Sequence, residues 1–273
     1  MKNLSSALAS EVAKLVSVRL WWVLALIMVG YVAVVAGGLA TVFAGIETGK
    51  IPGGEAHGLP PGFPLTTTVY SFATSIGYVF PVLLGALAAT AEFRYQTLTP
   101  TFLADPRRGR VLVAKSLTLT GFGAAYGVIA LVGSMAAGGL AIALFGLDPA
   151  FLSDEVLTLI WRSIIVMALW AAIGVGLGVL VPSQVAAIVI VLAFTQFVEP
   201  LLRTAAGFID WLEPYGKFLP GSASDALVGS SVFTIMGGST AQLEWWQGGL
   251  VLLGYAVLAT VGGFFTSWRR DVT

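Results

Sequence analysis

The sequence predicts an all-α membrane protein. It should have six transmembrane helices, an N-terminal amphipathic helix lying at the membrane interface, and a re-entrant helical pair before the last span. Three observations carry this expectation. Apolar residues make up 57% of the 273 and charged ones 10%, where ordinary globular chains run at about 25% charged. Mean hydropathy is +0.91, which implies more apolar surface than such a chain can hide from water. The apolar residues also gather in runs close to the roughly 20 needed to cross a bilayer.

The first element is residues 1–20. Leu4, Leu8, Val12, Leu15 and Val16 recur at helical spacing, while Ser6, Ser10, Lys14 and Ser17 fall mostly on another face. That pattern predicts a helix lying flat on the membrane. Glu11, Lys14 and Arg19 precede an apolar run too long for a signal-peptide core, so a cleaved leader is not expected. Trp21-Trp22 suits the interface at the start of the first span.

Spans are expected at 22–43, 69–90, 116–145, 156–181, 183–198 and 248–268. The third is long and rich in glycine, so it must tilt or protrude. The fifth is short for a crossing. Segment 45–65, rich in glycine and proline, reads as an exposed loop. Segment 199–247 is apolar but interrupted: Leu201, Leu202, Phe208, Ile209, Trp211, Leu212, Phe218, Leu227, Val228 and Val232 recur between prolines and glycines. It reads as a pair of short helices dipping back into the outer leaflet, broken near 214–221. A folded loop resting on the membrane is the alternative. Irregular backbone at that depth must pack against protein or face water.

An even number of spans puts both termini on one side. Ten of the fourteen basic residues then share that side: Lys2, Lys14 and Arg19; Arg94, Arg107, Arg108, Arg110 and Lys115; Arg269 and Arg270. Ten of the fourteen acids lie opposite. The positive-inside rule makes the termini cytoplasmic. A five-span count would put Arg269-Arg270 on the wrong side.

The same composition excludes several chemistries. A net charge of zero argues against a nucleic-acid partner. There is no cysteine, hence no disulfide or thiolate site, and the single histidine, His57, reads as an ordinary solvated residue. No Gly-x-x-x-x-Gly-Lys-Ser/Thr motif is present. Gly174-Val-Gly-Leu-Gly178 and Gly123-Ala-Ala-Tyr-Gly127 lie inside spans and read as helix packing, within one subunit or between two. No histidine or aspartate falls in the expected spans, so an intramembrane protease is not expected. The chain is expected to be neither an enzyme nor the holder of a cofactor or metal.

The most informative stretch is Glu92-Phe-Arg-Tyr-Gln-Thr-Leu-Thr-Pro-Thr-Phe-Leu-Ala-Asp-Pro-Arg-Arg-Gly-Arg-Val-Leu-Val-Ala-Lys115. Thr101, Phe102 and Leu103 fall in a helical turn between Pro100 and Asp105-Pro106. Leu98, Phe102 and Leu103 are apolar yet outside any span, which suggests a docking surface flanked by charge. The plain alternative is a loop whose arginines merely obey the positive-inside rule.

This stretch resembles the loop after the second span of ABC-2 type transporter permeases, the membrane subunits of bacterial ABC exporters. Glu92, Arg94, Thr97, Leu98, Pro106, Arg107, Arg108, Arg110, Ala114 and Lys115 match. Gln96 departs, since many members have glycine there. The N-terminal run from Glu11 to Trp22 is similar to the family's opening helix, and the six-span plan with short helices before span six fits as well.

The resemblance implies one transmembrane domain over 1–273 in a bacterial cell membrane. A second permease chain, identical or related, would join it, with two cytoplasmic ABC ATPase subunits that hold ATP and Mg. It implies that segments 1–20 and 92–115 couple to the ATPases through Lys14, Arg19, Glu92, Arg94, Thr97, Leu98, Thr101, Phe102, Leu103, Arg107, Arg108 and Arg110. The cargo would be amphipathic or lipid-like: a drug, an antimicrobial peptide, a lipid or a glycan precursor. Two rivals stand beside it. One is a transporter or channel that needs no ATPase, against which the lack of an acid at mid-depth counts. The other is a non-transporting scaffold or immunity subunit.

One further group is a candidate outer gate: Arg162, two turns into span four, with Glu199 and Arg203 beyond span five. Either Arg162 pairs with Glu199, or it snorkels to the interface and pairs with Asp154 or Glu155.

Overall fold

The structure, a computed structural model, describes residues 3–50, 59–60, 62–209, 211–230 and 243–268. Lys2, His57, Asp210, the 231–242 part of the expected re-entrant segment and Arg269-Arg270 lie outside the described residues. Among the described residues the secondary structure is helical, without strands. Six helical segments are long and apolar enough to cross a membrane: Leu20–Glu47, Leu65–Arg94, Arg108–Leu144, Asp154–Leu180, Gln184–Ala206 and Trp245–Trp268. The chain is a multi-pass membrane protein.

The first two helices are α1 (Leu4–Ser17) and α2 (Leu20–Glu47). Val18, in extended conformation, turns the chain between them. Span two is divided into α3 (Leu65–Ser75) and α4 (Val79–Arg94). A short helix, α5 (Leu98–Ala104), leads to α6 (Arg108–Leu144), and α7 (Asp154–Leu180) follows. Span five is α8 (Gln184–Ala193), a π-helical turn over Phe194–Val198, and α9 (Glu199–Ala206). Two short helices, α10 (Glu213–Gly216) and α11 (Pro220–Val228), precede α12 (Trp245–Gly263), which ends in a second π turn over Phe264–Trp268.

Helix α7 is the centre of the bundle, packed on α4, α6 and α12. Small residues allow the approach. A Cβ on Gly174 would collide with Val82 of α4, and one on Gly85 with the α7 backbone at Ala171. A Cβ on Gly123 of α6 would lie 2.6 Å from the Met167 carbonyl oxygen. Both glycine motifs therefore serve packing within the chain, the close-approach role that small residues take where lipid supplies no hydrophobic drive.

Two spans are interrupted, and in each a proline sits four residues beyond the irregularity. Pro81 has no N–H for the Gly77 carbonyl and its ring crowds that carbonyl. The helix yields at 76–78, and the Gly77 carbonyl instead accepts from the Phe80 N–H at 3.1 Å. Pro200 stands in the same relation to Gln196. There the backbone widens into the π turn, with the Glu199 N–H donating to the Phe194 carbonyl. The two irregularities meet: the Tyr78 hydroxyl donates to the Thr195 carbonyl at 3.3 Å.

The π turn corrects one expectation. Span five was expected to end at 198 and to be short. It continues through the π turn to Ala206, 23 residues in all, because Pro200 distorts the helix without ending it. Glu199 and Arg203 thus lie within the span, and the short helical pair begins only at α10.

Candidate functional site

Chemistry-bearing residues gather at the two ends of the bundle. At the end that carries α1, four charges form a largely buried cluster. The Lys115 ammonium lies 2.6 Å from Glu11 and 2.8 Å from Glu92. The Lys14 ammonium lies 2.6 Å from Glu11 and 3.2 Å from Glu92, with the Thr101 hydroxyl at 3.5 Å. Glu11, Glu92 and Lys115 are buried. Two acids and two bases cancel, which is what allows them to be buried at all. The cluster joins α1, the end of α4, α5 and the start of α6.

Helical spacing places these groups. Ala7, Glu11 and Leu15 form the stripe of α1 that faces the protein, and α1 packs on α6. Leu4, Val12 and Val16, three of the expected apolar face, point outward. Burial raises the Glu11 carboxyl, but the Lys115 and Lys14 ammoniums outweigh it and hold it below the ordinary carboxylate range. Burial likewise opposes the Lys14 charge, and Glu92 and Glu11 outweigh it, so Lys14 titrates above its ordinary value.

Around the cluster, α5 is pinned rather than free. Leu98 is only 1% exposed. Phe102 and Phe93 each set an edge against Trp268, with centroids 5.7 and 5.8 Å away, and the Trp268 indole N–H donates to the Arg108 carbonyl at 3.0 Å. The Arg108 guanidinium lies over the Phe102 ring at 5.0 Å. Arg110 grips the fully buried Asp105 at 2.6 and 2.8 Å, and the Arg107 backbone N–H donates to the same carboxylate at 3.1 Å. Arg110 holds the Asp105 carboxyl below its usual range.

The expected docking set therefore divides. Glu92, Lys14, Leu98, Phe102 and Arg110 face other parts of the chain, because α5 folds back across the helix ends and turns its i, i+4 pair, Leu98 and Phe102, inward. Leu103, at 82% exposed, remains outside, as do Thr97, Arg107, Arg19 and the unforeseen Tyr95. Arg94, also exposed, donates to the Gln184 side chain at 2.6 Å and bridges spans two and five. Gln96 adopts φ 55, the left-handed region that glycine enters at no cost.

At the opposite end the structure does not bring Arg162 to Glu199. The Arg162 guanidinium stacks over Trp161 and Trp245, at 5.4 and 5.1 Å, and among the described residues pairs with neither Glu199, Asp154 nor Glu155. Glu199 instead accepts from the Gly221 backbone N–H at the start of α11, and Arg203 pairs with Asp225 of the same helix. Ser224 accepts from the Trp170 indole of α7 at 3.3 Å. Helix α11 is buried along most of its length, against α12, α7 and α3.

Between these groups lies a cavity of about 320 Å3, reaching from Tyr31 of α2 across the span-two break to the π turn and α11. Glu199 and Ser75 both line it, and among the described residues Glu199 Oε2 and Ser75 Oγ are buried without a hydrogen-bond partner. Sequence reasoning missed this cavity. A signal was present in Pro81 and Pro200, one in each of two spans that line it. No protein-family model matches the chain, and neither does any curated protein.

Proposed function

We propose that the chain is the permease subunit of an ATP-driven ABC-2 type exporter. A second permease chain and two cytoplasmic ATPase subunits would complete it, with the end that carries α1 in the cytoplasm. The observation that carries this reading is the Glu11–Lys115–Glu92–Lys14 cluster. It ties the surface helix α1 and the short helix α5 to the ends of spans two and three, so a push on either is delivered to the bundle. The exposed Tyr95, Leu103 and Arg107 would form the part that meets the ATPase. Leu4, Val12 and Val16, apolar and outward, fit a helix resting in the interface. The burial of α11 among spans fits a re-entrant helix, since irregular backbone at that depth must pack against protein.

Affinity purification from the native host is the direct test. It should recover an ABC-type ATPase in stoichiometric amount, and recovery without one removes the proposal.

A second reading has its own observation. Glu199 lies inside span five, beside a broken span two, and ion-coupled carriers use broken helices and buried acids in this way. Uptake or efflux by the purified chain in liposomes without any ATPase would select it.

A further inference from the structure

We infer that the cavity between the span-two break and the span-five π turn binds the protonated amine of an amphipathic molecule. The carboxylate of Glu199 receives its head, and the apolar wall of the cavity receives its body. Resting on the exporter reading, this names the class of cargo, although the site is defined by its own geometry.

Glu199 is 2% exposed, the backbone N–H groups of Gly221 and Ser222 face its carboxylate, and Oε2 makes no hydrogen bond among the described residues. A buried carboxylate oxygen left unpaired is costly, and a ligand donor removes that cost. An ammonium has three N–H donors. One meets Glu199, and the unpartnered Ser75 hydroxyl offers a second acceptor on the same cavity. Two carboxylates face one guanidinium here, and that guanidinium is engaged by Asp225, so the site does not suit an anion.

Size selects an organic cation over a bare ion. The volume of about 320 Å3 is an order of magnitude more than the roughly 30 Å3 of one water. Ile76, Val79 and Leu192 supply an apolar wall, and Tyr31 and Phe80, their ring centroids 6.3 Å apart, add aromatic rings of the kind that attract alkylammonium groups. Tyr31 and Leu192 are exposed on the flank of the bundle. The cavity can therefore fill from the surrounding bilayer.

The test uses the full chain in nanodiscs of uncharged lipid, with empty nanodiscs as the blank. Calorimetric titration with 4-phenylbutylamine should give saturable binding. The isosteric 4-phenylbutanol should bind at least tenfold more weakly. Glu199→Gln should lose at least tenfold in affinity for the amine and leave the alcohol unchanged. Glu199 also holds the start of α11, so a second variant guards against misfolding: Ser75→Leu, which fills the cavity, should weaken both ligands. Equal binding of amine and alcohol, or full amine affinity in either variant, overturns the inference. Absence of an ATPase partner would leave this binding intact, whereas absence of amine binding would leave ATPase recovery intact, so the two ideas fail separately.

Discussion

Glu11 and Lys115, 104 positions apart in sequence, meet at 2.6 Å in a buried ion pair. The pair turns an isolated surface helix into part of the bundle. A 14-residue helix has little stability by itself in water. Its position is decided by what Ala7, Glu11 and Leu15 touch.

Lys115→Met should release α1. It leaves Glu11 and Glu92 buried near only the half-exposed Lys14, and breaking a buried pair by removing one partner costs about 3–5 kcal/mol. Hydrogen exchange of the α1 amides should rise strongly, with the rest of the bundle protected. Unchanged exchange would show that α1 is held by packing alone.

The docking of α1 should be flat across the neutral range. Glu11 titrates below its ordinary value of 4.5, so its contribution is complete above that pH and fades as pH falls through the lowered value. Lys14 titrates above its ordinary value of 10.5, so its contribution is complete below that pH and fades as pH rises through the raised value. The chain has no cysteine, so a single cysteine at Ser5 can carry a spin label that reports mobility. A transition between about pH 6 and pH 9 would contradict this assignment.

Leu98 and Leu103 should behave oppositely. Leu98→Asp buries a charge without a partner and should prevent folding. Leu103→Asp should leave expression, insertion and melting temperature unchanged and, on the exporter reading, abolish ATPase recovery. Retained recovery would move the docking surface elsewhere.

Gln96→Gly should stabilise the protein by about 1 kcal/mol, the order of the left-handed penalty for a residue with a Cβ. The measurement is a thermal melt in detergent, and a lowered midpoint would count against strain at this position.

Gly174→Val and Gly38→Ala should also separate. A Cβ on Gly174 meets the Val82 backbone, and one on Gly38 meets nothing within 4 Å. The first should cost several kcal/mol by forcing α4 from α7, on the scale of core overpacking. The second should be neutral or slightly stabilising. Denaturation of both in mixed detergent would compare them.

Much of this architecture was legible in one dimension. Hydropathy located all six spans, and the Pro/Gly interruptions located the short helices before the last. The 92–115 stretch was singled out as a docking surface, and the structure turns part of it inward while Leu103, Thr97 and Arg107 stay exposed. Apolar Leu98 and Phe102, outside any span, looked like surface, yet α5 folds them against Trp268, 166 positions beyond Phe102. No local pattern can report a partner that distant. Arg162 was expected to pair with a carboxylate, and among the described residues it lies instead over the rings of Trp161 and Trp245.

The sequence by itself determined that this is a multi-pass helical membrane protein, because span length and hydropathy are properties of consecutive residues set by bilayer thickness. Only the tertiary structure decided how the few charges are used. Glu11 and Glu92 pair with Lys14 and Lys115, while Glu199 lines a cavity at the other end of the bundle. A charge held away from water is governed by which opposite charge or donor lies within about 3 Å. That distance is fixed by how helices far apart in the chain are packed, and not by their order along it.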